Sequence, residues 1–293
     1  MENIISKAKN DQKLSETDKG QAIDEFLKSL NPDIKNILIL PPDYTRKHSG
    51  AGKVTEKLYK KLNMKINNIN IDIMPALGTH EAMSEKEIRD MFGPDIPLTE
   101  FKVHNWRKDT VEIGTISSET VSEITNSLVE MSISVSVNKS LLQDKYDLIV
   151  SIGQVLPHEV VGMANYNKNI FVGCGGVDMI NKSHFVGAAY GMEKLLGKDH
   201  SPVRQLYDHA EKEFLQDIPL VYFLSVNSTD INKETGLTDM KGLFIGKDRD
   251  IFEKAVELSQ KVNIEKLEEP LDKVVVYLEA EEFKSTWLGC KAI

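Results

Sequence analysis

Short apolar runs, each followed by a helical pattern, constrain this chain more than any other feature. Residues 34–40 form a run stopped by Pro41-Pro42, residues 66–75 alternate Ile69, Ile71 and Ile73 with polar neighbours, and residues 146–152 form a third run. Runs of this length bounded by turn residues read as buried strands. Between them, Val54, Leu58 and Leu62 recur at helical spacing, and Ser84 with Glu87 forms a capping-box start for a helix over 84–92. Strands alternating with helices predict an α/β fold: a mostly parallel sheet flanked by helices.

The pattern extends along the chain. Residues 1–30 read as one helix, with Ile23, Phe26, Leu27 and Leu30 on one face, ended by Asn31-Pro32. Residues 101–104, 111–116 and 133–137 read as short strands. Helices are expected over 204–214 and 250–262, and strands over 220–226 and 243–245. Glu268-Glu269-Pro270 reads as a connector, and residues 274–278 as the opening of another strand. The expected division is a catalytic and cofactor-binding α/β domain over 1–268, then a connector and the start of a smaller second α/β domain over 269–293.

Bulk numbers remove whole classes of function. A net charge of −9 argues against non-specific nucleic-acid binding. The two cysteines, Cys174 and Cys290, form no CxxC pair, which argues against a disulfide framework. No window approaches the roughly 18 apolar residues of a membrane span, and the first residues carry no apolar core of signal-peptide length. The expectation is a soluble cytoplasmic protein with a small-molecule substrate and neither nucleic acid nor membrane as partner.

In parallel sheets ligands bind beyond the carboxyl ends of the strands. Those ends deliver Asp43-Tyr44-Thr45-Arg46, Gly78-Thr79-His80 and Pro157-His158. Asp43 and Arg46 are either a surface ion pair or a guanidinium fork for a carboxylate, oriented by Asp43. His80 is either a helix cap or buried structural residue, or a general base. His158 is the strongest acid/base candidate, fixed by Pro157 and oriented by Glu159. Lys168 is a solvated loop charge or a ligand-bearing amine. His184 packs, caps, or offers a neutral imidazole to nickel or zinc. There is no HExxH, GxGxxG, GxxxxGK[ST] or GxSxG pattern, so zincin, dinucleotide, P-loop and serine-hydrolase readings lack support.

Together these segments resemble the nickel-dependent lactate racemase family of 2-hydroxyacid racemases and epimerases, over most of the chain. The resemblance rests on Asp43-Tyr44-Thr45-Arg46, Ala76-Leu77-Gly78-Thr79-His80, Gly153 through His158, Lys168, His184 and Ser201-Pro202-Val203-Arg204. It extends to the tail from Phe283 to Lys291. The resemblance implies a nickel pincer nucleotide, a pyridinium-3,5-bisthiocarboxylic-type mononucleotide tethered to Lys168 with His184 on the nickel. It further implies His80 and His158 as the acid/base pair and Asp43, Arg46 and Lys291 as substrate-binding residues. Cofactor-biosynthesis proteins would be partners. Asn165-Tyr166-Asn167 stands where the family often has Ser-Gly-Gly-Arg, and Leu288 where it has a polar residue.

The expected activity is inversion at C2 of a 2-hydroxy acid, lactate or a larger sugar acid, by hydride transfer. Two rival readings remain at this level: a catalytically silent ligand-binding homologue, and a zinc enzyme using His80, His158 and His184. The sequence ends early in the expected second domain, which implies a truncated chain or a missing closing domain.

Overall fold

The computed structural model describes residues 2–9, 12–142, 145–269, 271–275 and 277. The chain divides into two compact units, Met1–Asn263 and Ile264–Ile293. In the second, the described residues form neither helix nor strand, including 274, 275 and 277 of the expected strand.

The first unit runs β1 (Ile4–Lys7), α1 (Glu16–Lys28), β2 (Asn36–Leu40), α2 (Ala51–Lys65), β3 (Asn70–Ile73), α3 (Glu85–Phe92), β4 (Thr110–Ile116), α4 (Ser118–Ile124), β5 (Ile133–Asn138) and β6 (Leu148–Gln154). Then follow β7 (Pro157–His158), β8 (Gly162–Met163), α5 (Val177–Tyr190), α6 (Met192–Leu195), α7 (Pro202–Phe214), β9 (Leu220–Ile231), β10 (Thr238–Gly246) and α8 (Arg249–Asn263). Six strands make one sheet in the order β1-β10-β9-β6-β2-β3. The β9–β6, β6–β2 and β2–β3 pairs are parallel, while β1 and β10 extend the edge antiparallel. The expected α/β class, a mostly parallel sheet between helices, is the observed one.

The alternation along β2 explains why its run is apolar throughout. Leu38 and Leu40 face a core shared with α5, α7 and α8, whereas Ile37 and Ile39 face a second core under α1, α2 and α3. A strand covered on both faces has no polar side to offer. Each such fully buried Leu or Ile contributes about 1.5–3 kcal/mol relative to an exposed one. The capping box of α3 forms as its sequence predicts, with Ser84 Oγ accepting from the Glu87 backbone N–H and Glu87 accepting from Ser84 N–H.

Three elements depart from the sequence expectation. Residues 4–7 form an edge strand rather than the start of a helix, because β10 offers an unpaired edge to which Ile4 through Lys7 bond. Residues 101–104 contribute one parallel bridge, Ile73 to Phe101, and no strand. β4 and β5 form a separate antiparallel ribbon outside the main sheet, with one further bridge from Val137 to Gly175. Local periodicity reports an extended backbone but not its partner.

Candidate active site

The carboxyl ends of the adjacent strands β3, β2 and β6 lie side by side, and each hands the chain to a segment bearing one or more candidate residues. After β2, Asp43 immediately precedes a short 3₁₀ segment, Tyr44–Ser49, and is 6% exposed. Its Oδ2 lies 2.5 Å from His80 Nδ1, and Thr45 Oγ1 donates to Oδ1 over 2.6 Å. Burial would raise the Asp43 carboxyl, but the bonds from His80 and Thr45 and the charges of His80 and Arg46 hold it below its ordinary range. Asp43 is therefore committed to His80, a wiring that its sequence position did not reveal. With the carboxylate accepting Nδ1–H, His80 turns Nε2 into its acceptor nitrogen, on an exposed ring.

Arg46 is exposed on the same segment, and among the described residues its guanidinium has no hydrogen bond or ion pair. It thus retains the planar fork that suits a carboxylate.

After β6, His158 lies in the two-residue β7, paired with β8. Its Nδ1 accepts from the Val160 backbone N–H at 3.0 Å, with Glu159 Oε2 3.4 Å away. The ring keeps 17% of its surface exposed, yet desolvation is the largest influence on it. The charges of Lys168, His184, Arg46 and Arg204 act in the same sense, and the His158 pKa falls well below the ordinary imidazole range. Among the predicted residues, the fields of Lys168, His184 and Arg46 thus meet at His158, and Arg46 also acts on the Asp43–His80 pair.

Lys168 is half-buried and begins a π-helical turn, Asn169–Gly173. Such turns recur at functional sites. The turn is stapled to the sheet by Asn169 Nδ2, which donates to Leu40 O at 3.2 Å and Ser151 Oγ at 2.9 Å. Gly78 N donates to Gly173 O at 2.8 Å, tying the His80 loop to the same turn. Two residues before Lys168 hold left-handed backbone, Asn165 at φ 65° and Tyr166 at φ 60°. Asn165 packs over Gly153, where a Cβ would lie 1.6 Å from Asn165 Nδ2, so any larger residue at that strand end displaces the Asn165 side chain. His184, half-buried on α5, has Nδ1 2.6 Å from Ile180 O. A carbonyl accepts only, so Nδ1 carries the hydrogen and Nε2 the lone pair, the arrangement a metal-binding imidazole requires.

Residues 278–293 lie outside the described residues, and with them Lys291. A different group of potential metal ligands, Asp199, His200 and Glu253, comes together near α8. There Arg249 Nη2 donates to Asp199 Oδ1 at 2.8 Å and faces His200 Nδ1 at 3.3 Å. That leaves hydrogen on His200 Nε2, and with a guanidinium in the cluster the group does not suit a cation. Nor does zinc binding by His80, His158 and His184 find support: among the described residues their ring nitrogens do not gather within 4.8 Å of one another.

Sequence reasoning missed the support beneath Lys168. Asn167 Nδ2 donates to Asp208 Oδ1 at 2.7 Å and Glu211 Oε2 at 3.0 Å, and Arg204 is fully buried against the same loop. The signal was present: Arg204, Asp208 and Glu211 recur at helical spacing on α7, a polar stripe beside Leu206 and Ala210.

Comparisons with known proteins bear on the family and the fold. The family model described as the lactate racemase N-terminal domain matches residues 12–194. A lactate racemase of Thermoanaerobacterium thermosaccharolyticum is 28% identical over 194 residues, which cover 64% of this chain and 41% of that protein. Among solved structures, a Thermotoga maritima protein superposes with a TM-score of 0.80 at 23% identity, covering 90% of this chain and 63% of its own. The lactate racemase apoprotein from T. thermosaccharolyticum gives a TM-score of 0.61 at 21% identity, covering 83% and 55% respectively. The chain thus spans about half the length of the lactate racemase it matches. It belongs to the lactate racemase N-terminal domain family.

Proposed function

We propose that this chain carries the catalytic site of a racemase or epimerase that inverts C2 of a 2-hydroxy acid, lactate or a larger sugar acid. The observation that carries the reading is the pair of oppositely wired imidazoles, His80 tied to Asp43 and His158 held by Val160, with the charges of Lys168, His184 and Arg46 acting on His158. The donor set fits a lysine-tethered nickel pincer nucleotide: an amine at Lys168, and at His184 an imidazole whose Nε2 lone pair is fixed by Ile180. When bound there, that group would supply the acceptor and donor of a hydride.

The chemistry explains the need for this set. Removing the α-proton of a hydroxy carboxylate would place a second negative charge beside the carboxylate. Removing a hydride together with the hydroxyl proton leaves a neutral keto group. Arg46 grips the carboxylate bidentately and holds the substrate while its C2 face changes. His80, with Nδ1–H donated to Asp43, presents Nε2 as the base that takes the hydroxyl proton. His158, with Nδ1 accepting from Val160, presents Nε2–H to an oxygen on its side. When His158 carries a full charge, its second N–H needs an acceptor, and the Glu159 carboxylate 3.4 Å away is suitably placed. Inversion requires one such group on each face of the substrate.

The test is to incubate the cofactor-loaded protein with one enantiomer of lactate, and separately of a sugar acid, in D2O. Inversion with the C2 hydrogen retained is expected. Deuterium at C2 would overturn hydride transfer in favour of proton abstraction. Binding by calorimetry without turnover would favour a silent homologue.

A further inference from the structure

Arg204 lies on α7 and has no solvent-exposed surface. Its guanidinium reaches into the loop that ends at Lys168. Nη2 donates to Met163 O at 2.7 Å and to Asn165 O at 3.2 Å, and Nη1 donates to the Asn167 side-chain oxygen. The guanidinium is centred 4.5 Å from the Phe252 ring, which is stacked on Tyr166 at 4.9 Å between centroids. Asn167 in turn donates to Asp208 and Glu211, and Arg249 pairs with Asp208 at 3.1 Å. Ser201, which caps α7, donates to Val161 O at 2.8 Å and fixes the helix against the start of the same loop.

A loop with two consecutive left-handed, non-glycine residues is strained and persists only where its surroundings over-determine it. Asn165 and Tyr166 are those residues, and Arg204 grips the carbonyl on either side of Ala164 and the side chain of Asn167. The fork spans Met163 to Asn167, so it sets the direction in which the chain enters Lys168. A lysine at this place could reach one of the three acceptors, not all of them in one plane.

We propose that Arg204 is a positioning residue for Lys168: its buried fork locks the left-handed Asn165-Tyr166 turn and thereby fixes where the Lys168 side chain leaves the loop. Its consequence for catalysis rests on the reading of Lys168 as the cofactor-bearing lysine, while its geometry does not. Arg204 touches neither substrate nor cofactor and acts through the loop.

The experiment uses Arg204→Lys and Asn167→Ala in the full chain, the second removing one of the three contacts and leaving Arg204 in place. Hydrogen exchange over residues 163–169 is compared with that of β6 and β9. Competitive acetylation with limiting acetic anhydride compares Lys168 with the exposed Lys261, without cofactor. The fraction of Lys168 carrying cofactor mass is read after co-expression with the cofactor-making proteins. In Arg204→Lys, exchange over 163–169 rises at least tenfold while β6 and β9 keep wild-type rates. The acetylation ratio shifts at least threefold, and the loaded fraction falls at least tenfold. Asn167→Ala lies between wild type and Arg204→Lys in all three. Unchanged exchange and acetylation in both variants would overturn the proposal. So would equal acceleration across β6 and β9 in both, which would make Arg204 a general core residue. If wild-type Lys168 acquires no adduct, the functional reading fails, and exchange with acetylation alone decides whether Arg204 positions the lysine.

Discussion

Replacing Asp43 by Asn removes the charge that orients His80 while keeping nearly the same shape. Asp43 is almost fully buried, and its Oδ2 accepts from His80 over 2.5 Å while Oδ1 accepts from Thr45 over 2.6 Å. A hydrogen bond to a charged group is worth about 1.5–3 kcal/mol. At about 1.36 kcal/mol per factor of ten, losing that orientation lowers kcat by about 10- to 150-fold. The amide of Asn can also donate to Nδ1, which traps hydrogen on Nε2 and puts the loss at the upper end. KM stays within about threefold, because Arg46 still holds the carboxylate. The assay is the initial rate of enantiomer inversion on protein of known nickel content, alongside two-bond 1H–15N correlation spectra of the His80 ring. In the wild type the spectrum shows hydrogen on Nδ1, and in Asp43→Asn this signature is lost. A kcat within threefold of wild type, or an unchanged tautomer, would refute the reasoning.

Other consequences follow from the same contacts. Asn169→Ala removes two buried hydrogen bonds that staple the Lys168 turn to β2 and β6, a loss of about 2–4 kcal/mol. The thermal midpoint should then fall by about 4–8 °C, and a change under about 1 °C would contradict the staple. Gly153→Ala forces a Cβ into Asn165, so it should destabilise by about 1–3 kcal/mol and loosen residues 163–169 in hydrogen exchange; wild-type exchange there would count against it. His158 has a folded pKa well below its unfolded value of about 6.5. Below that pH the unfolded chain takes up a proton the folded chain refuses, so stability falls as pH drops from about 6.5 towards the folded value. His158→Gln should flatten that part of the curve of thermal midpoint against pH, and equal slopes in both proteins would sink the assignment. Asp43 acts on the acid side: its folded carboxyl titrates below the usual range of about 3.9. Its stabilisation is present above that pH and lost as pH falls through the folded value, so Asp43→Asn narrows the difference from wild type in strong acid.

Much of this was legible in the sequence because strand runs and strand ends are local. The run ended by Pro41-Pro42 forms β2, and the segments after β2, β3 and β6 deliver Asp43, Arg46, His80 and His158, as a parallel sheet requires. What could not be read was pairing across sequence distance. Ile4 through Lys7 looked helical because nothing nearby shows that β10, far along the chain, leaves an edge for them. The Asp43–His80 bond joins residues 37 apart in sequence, and no local pattern marks one as the partner of the other. The grip of Arg204 on Met163 and Asn165 spans about forty residues. Such contacts leave only an indirect trace, a polar stripe on an otherwise apolar helix face.

The most direct measurement of the central claim is the mass of the peptide containing Lys168, with nickel analysis of the same sample, after expression with the proteins that build the pincer nucleotide. The account predicts a cofactor-sized addition on Lys168 and close to one nickel per chain, with the nickel lost in His184→Ala. An unmodified Lys168 peptide and a nickel-free protein would contradict it.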